Sequence, residues 1–253
     1  MRSLSLLVAL LACLSAIAAR ADEGTRKYAV LSLIGESLTV VGYVGATGAH
    51  LSQNRSEPVS VGSKVFDTTA LGAVQQSLKR IDAQTPIALF LGTSPALFTE
   101  QAKLFQGPRV LLTPELGAAM KKDGATHLLL VTRHRGDAQI RAADGYTGSG
   151  QLEGLGFYID RDLRTLRRSD GATSQGFFAP YVYLRISLVD LATSMIEREQ
   201  LVTWAIMLTA YDAEGGDPRG VMAGKRLQFL LDALTREINR AVPLLVGAPD
   251  PSK

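Results

Sequence analysis

A few serine, histidine, aspartate and arginine positions could carry chemistry in this chain. Ser37 follows Gly35-Glu36 beside an apolar run. A serine becomes a nucleophile when an imidazole takes its proton and backbone amides hold the developing oxyanion. His50, His127 and His134 are the available bases. His127, His134 and Asp137 also have the residue types of a metal site. The two histidines lie an odd number of residues apart, however, and on one strand that sends them to opposite faces. No third histidine follows, so no metal is assigned, and no cofactor either. Arg161, Arg164, Arg167 and Arg168, interleaved with Asp160, Asp162 and Asp170, form a basic group. It suits an anionic lipid head group, a cell-wall polymer or an acidic partner. The competing reading is a solvated hairpin edge guarded by charge.

Gly35-Glu36-Ser37-Leu38-Thr39 resembles the GDSL motif of serine esterases, one residue short of it. In that family the serine leads into a helix and an Asp-x-x-His pair follows near the C-terminus. Here Leu38 to Val44 reads as a strand and the last histidine is His134. A hairpin turn is the leading reading of Ser37, and a hydrolase using it is the alternative.

The leader decides the compartment in which these residues work. Arg2, an apolar run from Leu4 to Ile17 and Ala19-Arg20-Ala21 have the layout of a secretory signal cleaved after Ala21. The run is too short to span a bilayer as a lasting anchor. The expected product is periplasmic and begins at Asp22. Leu10-Leu11-Ala12-Cys13 gives a second possibility, a lipobox that would leave the chain anchored through Cys13. Cys13 is the single cysteine, so cleavage after Ala21 leaves no thiol, and stability has to come from an apolar core. Cleavage also removes Arg2 and Arg20 from 27 basic side chains, leaving 25 against 24 acidic ones. A nearly neutral exported chain gives no reason to expect a nucleic-acid partner.

The pattern of elements predicts one α/β (α+β) domain over residues 22–253, with a mixed, largely antiparallel sheet and packed amphipathic helices. Tyr28 to Ile34 and Leu38 to Val44 read as two strands of a β-hairpin around Gly35-Glu36-Ser37. Gly45 to Val65 reads as a surface loop. Leu71, Val74, Leu78 and Ile81 recur at helical spacing behind an Asp67 or Thr68 cap, with the end near Asp82. Pro86 to Leu91 reads as a buried strand. Thr113-Pro114-Glu115 starts a helix that Gly124 ends before a strand from His127 to Thr132. Residues 133–176, Gly-rich and charged, read as a projecting or mobile insertion, locally β-like at Leu155 to Ile159 and Leu163 to Leu166. Val182, Leu184, Ile186 and Leu188 alternate with Tyr183, Arg185, Ser187 and Val189, and after a turn around Asp190 to Glu199 a partner run from Leu201 to Leu208 completes a long β-hairpin. A last helix runs from Lys225, its pattern ended by Pro243.

From Thr113 onward the order of elements resembles a group of bacterial envelope proteins. Gly124-Ala125-Thr126-His127-Leu128-Leu129-Leu130-Val131 is similar to their helix-to-strand step. Val182 to Asp190, returning through Trp204, is similar to their strand, Asp, turn and strand ending in Trp. These are the curli-secretion lipoprotein CsgG, the penicillin-binding-protein activator lipoproteins and the amino-terminal domain of TolB. The chain departs from them in its leader and at Thr193, which is followed by Ser194-Met195-Ile196-Glu197. The resemblance implies a non-enzymatic accessory or assembly factor that binds envelope proteins and can form homo-oligomers. The 133–176 segment is the expected contact surface, with peripheral membrane or cell-wall contact also open. A periplasmic small-ligand binder is a further alternative.

Overall fold

The computed structural model describes residues 26–45, 54–166, 173–208 and 225–247. Its first strand is Tyr28–Ser32 (β1), followed by Ser37–Gly42 (β2) and Arg55–Ser60 (β3). Val65–Ile81 (α1) precedes Ile87–Leu91 (β4) and the short helix Pro95–Thr99 (α2). A 3-10 turn at Gln101–Leu104 leads to the small pair Phe105–Gln106 (β5) and Arg109–Val110 (β6). Pro114–Lys122 (α3) then feeds His127–Arg133 (β7). Arg135–Asp137 (β8), Ile140–Ala142 (β9) and Gly145–Thr147 (β10) are short. Gln151–Leu166 (β11) and Thr173–Asp190 (β12) are long, and Ile196–Ala205 (β13) and Lys225–Val246 (α4) complete the chain.

Among the described residues one mixed sheet of nine strands has the path β3-β2-β11-β12-β7-β1-β4, with β13 on β12 and β8 on β11. The β1–β4, β1–β7 and β2–β11 pairs are parallel and the other ladders of this sheet are antiparallel, as an α/β chain with a largely antiparallel sheet requires. β12 organises it. Its Leu184 to Asp190 half pairs with β7, its Thr173 to Tyr183 half pairs with β11, and β13 lies along the other side.

Both faces of the sheet are covered, which explains the continuous apolar run of β7. On one face α1 and α4 bury Leu129, Val131, Leu184 and Ile186 under Leu230, Leu234 and Ile238. The helical spacing of those α4 residues stacks them into a single stripe. On the other face, α2 and α3 with their connections cover Leu31, Leu128 and Leu130, while Tyr158, Phe177, Tyr181 and Tyr183 form a third cluster around Ile140 and Leu152. Each such side chain removed from water contributes about 1.5–3 kcal/mol.

Several local expectations hold. Thr113 caps α3 by accepting the Leu116 N–H at 3.4 Å, with Pro114 in the first turn. Gly124, at φ +76°, turns the chain from that helix to β7. Asp82 ends α1.

Others are corrected. β1 and β2 do not form a hairpin: both edges of β1 are taken by β4 and β7, so β2 joins the sheet beyond β12 and β11. α1 starts at Val65 with Lys64 at the cap position, and Asp67 lies inside the first turn with its carboxylate turned to the loop after β1. The loop read over 45–65 contains β3. β4 is an edge strand with Leu89 and Leu91 exposed. Residues 154–160 of the expected insertion are buried in the sheet, where β11 is bounded by β2 and β12 at 156–159 and Phe157 and Tyr158 are fully buried. β13 begins at Ile196, five residues before the expected Leu201. α4 runs past Pro243, which is buried in its final turns, where few backbone bonds remain to be lost.

Candidate functional site

Three strands bring one imidazole and two carboxylates together at one end of the sheet. His127 opens β7 and stands opposite Asp190, the last residue of β12. Glu197 comes from β13 through a bulge. Leu188 pairs with Arg198 and Val189 with Ile196, so Glu197 is the extra residue between them. A bulge breaks strict alternation and re-aims a side chain. One ligand-type atom from each of His127, Asp190 and Glu197 lies within 4.8 Å of the others.

Hydrogen bonds fix the members of this group. The Thr126 hydroxyl accepts the Lys27 N–H at 3.0 Å and donates to the Lys27 carbonyl at 3.3 Å. The same hydroxyl lies 2.9 Å from His127 Nδ1, a contact whose donor is set by the imidazole tautomer. Nε2 faces Glu197, 3.5 Å from Oε1. Asp190 accepts the Ala192 and Thr193 N–H groups on one oxygen, at 2.7 and 2.8 Å. The Thr193 amide is the largest cause that holds the Asp190 carboxyl below its ordinary range. Arg26 reaches the far side of Glu197 at 3.5 Å. The His127 side chain is only 13% exposed, packed near the Tyr28 ring.

The residues singled out in the sequence are scattered. Ser37 is exposed at the start of β2, opposite Ser60, and no imidazole among the described residues hydrogen-bonds its hydroxyl. His50 lies outside the described residues. His134 leaves β7, stacks on Tyr183 with ring centroids 6.5 Å apart, and is held below its usual pKa, chiefly by burial. Asp137 pairs with Gln151, and its carbonyl receives the Tyr183 hydroxyl. Arg161 is exposed and lines a groove with Tyr43, Val44, Arg55 and Glu57. Arg164 is opposite Gln175 in the β11–β12 ladder, and Arg167 and Arg168 lie outside the described residues.

A second feature is a strand edge with no neighbouring strand among the described residues. The Tyr28 N–H bonds the Pro86 carbonyl, so alternation along a parallel ladder directs the backbone groups of Ile87, Leu89 and Leu91 away from β1. Leu89 is 43% and Leu91 47% exposed. The β3 edge carries Arg55, Glu57 and Pro58, and the β13 edge carries Glu197, Arg198 and Glu199. β4, Ile-Ala-Leu-Phe-Leu, has no charge and no proline.

The architecture defines an α/β protein with helices over a mixed sheet. No family model and no curated protein matches the chain. Among the described residues no helix is long and apolar enough to cross a membrane.

Proposed function

We propose that this protein is a non-enzymatic accessory or assembly factor of the bacterial envelope, acting in the periplasm by binding an extended segment of a protein partner along β4. The observation that carries the reading is the contrast between edges. Charge or proline guards β3 and β13, the devices that discourage strand pairing, and β4 has neither. Strand addition draws affinity from main-chain hydrogen bonds and selectivity from alternate side chains. Ile87, Leu89 and Leu91 offer both, as outward-facing backbone groups and an apolar row.

The burial of residues 154–160 argues for β4 over the 133–176 segment as the contact. The more exposed of the two large apolar side chains among the segment's described residues, Tyr146 at 74%, stands on the small β9–β10 hairpin. A photo-reactive amino acid placed at Leu89 or at Tyr146 in cells separates the two surfaces. Adducts with an envelope protein from position 89 support the proposal. Adducts from position 146 alone transfer the contact to the β9–β10 hairpin and overturn it.

A further inference from the structure

We infer that His127, Asp190 and Glu197 form a binding site for one divalent transition-metal ion of the zinc class, clamping the ends of β7, β12 and β13. The inference is independent of the β4 proposal.

Spacing is the first argument. An N–H···O hydrogen bond prefers about 2.7–3.2 Å. His127 Nε2 and Glu197 Oε1 are 3.5 Å apart, long for a direct bond. Two ligand atoms each about 2.0–2.1 Å from a tetrahedral ion stand about 3.4 Å apart. The observed separation is therefore close to the edge of a coordination polyhedron.

Orientation points the same way. A metal-ligating imidazole needs a deprotonated nitrogen toward the ion and a partner for its other N–H. The Thr126 oxygen, 2.9 Å from Nδ1 and held by Lys27, is placed to accept that N–H when Nε2 ligates. The Asp190 carboxylate is oriented by two amides, leaving lone pairs for a ligand. The bulge then delivers Glu197 from a third strand.

Donor chemistry adds a reason for a cation. Two carboxylates and an imidazole converge from three strands, with the Arg26 guanidinium on the other oxygen of Glu197. One nitrogen with two oxygens is a donor set suited to zinc, manganese or cobalt. Three protein ligands leave a position for water.

The test uses the purified, untagged protein stripped with chelator. Zn2+ is titrated in competition with a chromophoric chelator, and Co2+ serves as a spectroscopic probe. One equivalent is expected to bind, with the strong visible absorption of four-coordinate Co2+ and a raised unfolding temperature. E197Q, on an exposed edge, is expected to weaken binding by at least about tenfold, because a ligand contributes no less than its outer-shell partner. H134Q is expected to leave affinity unchanged. No binding by the parent protein, or equal affinity in E197Q, would reduce the group to an ion-pair cluster. Equal weakening by H134Q would show adventitious binding. Circular dichroism of each variant separates loss of a ligand from loss of fold.

Discussion

The Asp67 carboxylate receives the buried hydroxyl of Ser32 at 2.6 Å, and with it joins the first turn of α1 to the end of β1. The same carboxylate accepts the N–H groups of Ile34 at 2.9 Å and Gly35 at 3.2 Å, where the chain leaves the sheet. Asp67 thus satisfies donors that the turn would otherwise bury without partners. Removing one partner of a buried donor costs about 1–3 kcal/mol, so Asp67→Ala is expected to cost about 3 kcal/mol in urea unfolding. An unchanged midpoint would show that water replaces the carboxylate.

Asp67 also predicts a pH dependence. Burial is the largest influence on its carboxyl and raises the pKa above the ordinary 3.8, outweighing the bonds from Ser32, Ile34 and Gly35. A group whose folded pKa is raised favours the fold when protonated. Its contribution is complete below the unfolded value and is lost as pH rises through the folded value. Relative to Asp67→Asn, which does not titrate, the parent protein is therefore expected to lose stability from about pH 4 upward. Unfolding curves for the two proteins at stepped pH measure the difference. A constant gap across that range would contradict the raised pKa.

Among the described glycines, Gly156 leaves the least room for a side chain. A Cβ there would stand 1.9 Å from the Thr39 carbonyl oxygen of β2 and 2.6 Å from the Tyr181 hydroxyl of β12. Gly156→Ala is expected to cost more than about 4 kcal/mol, since one of the obstructing atoms is backbone. Tyr181→Phe removes the hydroxyl that donates to Thr39 at 3.1 Å and is expected to cost about 1 kcal/mol. The double variant should not recover, because the Thr39 carbonyl remains. Recovery measured by thermal unfolding would show that the hydroxyl alone sets the limit.

The contrast between legible and illegible features follows sequence distance. Thr113-Pro114-Glu115, Gly124 and the Leu230-Leu234-Ile238 stripe were readable because caps and helical periodicity are local. The sequence reads as a β1–β2 hairpin because two strands joined by a turn usually pair, and only the tertiary arrangement shows β4 and β7 occupying both edges of β1. Asp67 resembled a cap because Asp is common there, while its real partners lie more than thirty residues earlier. Asp190 and Glu197 were visible only as turn residues. Nothing local reveals the bulge that turns Glu197 toward His127, or that β7 would lie beside β12.

Ser37 gives a prediction about chemistry. Its hydroxyl is exposed on β2, lacks an imidazole partner among the described residues and faces Ser60 across the β2–β3 ladder. Without a base it remains an ordinary alcohol. A serine-directed fluorophosphonate probe is expected to leave the protein unlabelled, and Ser37→Ala to unfold within about 0.5 kcal/mol of the parent. Labelling abolished by that substitution would restore the hydrolase reading.

The β4 edge gives the last prediction, in which stability and binding should separate. Leu89 and Leu91 are nearly half exposed, so lysine at both positions removes little buried apolar surface. Surface substitutions of this kind usually shift stability by about 0.5 kcal/mol or less each. The charges would nevertheless guard the edge as those on β3 and β13 do. The Leu89→Lys, Leu91→Lys protein is therefore expected to keep its unfolding temperature while losing partner capture in cells. The same double substitution should reduce any self-association seen by sedimentation at high concentration, because an unguarded edge also pairs with its own copies. Full partner capture by a correctly folded double variant would remove β4 as the contact.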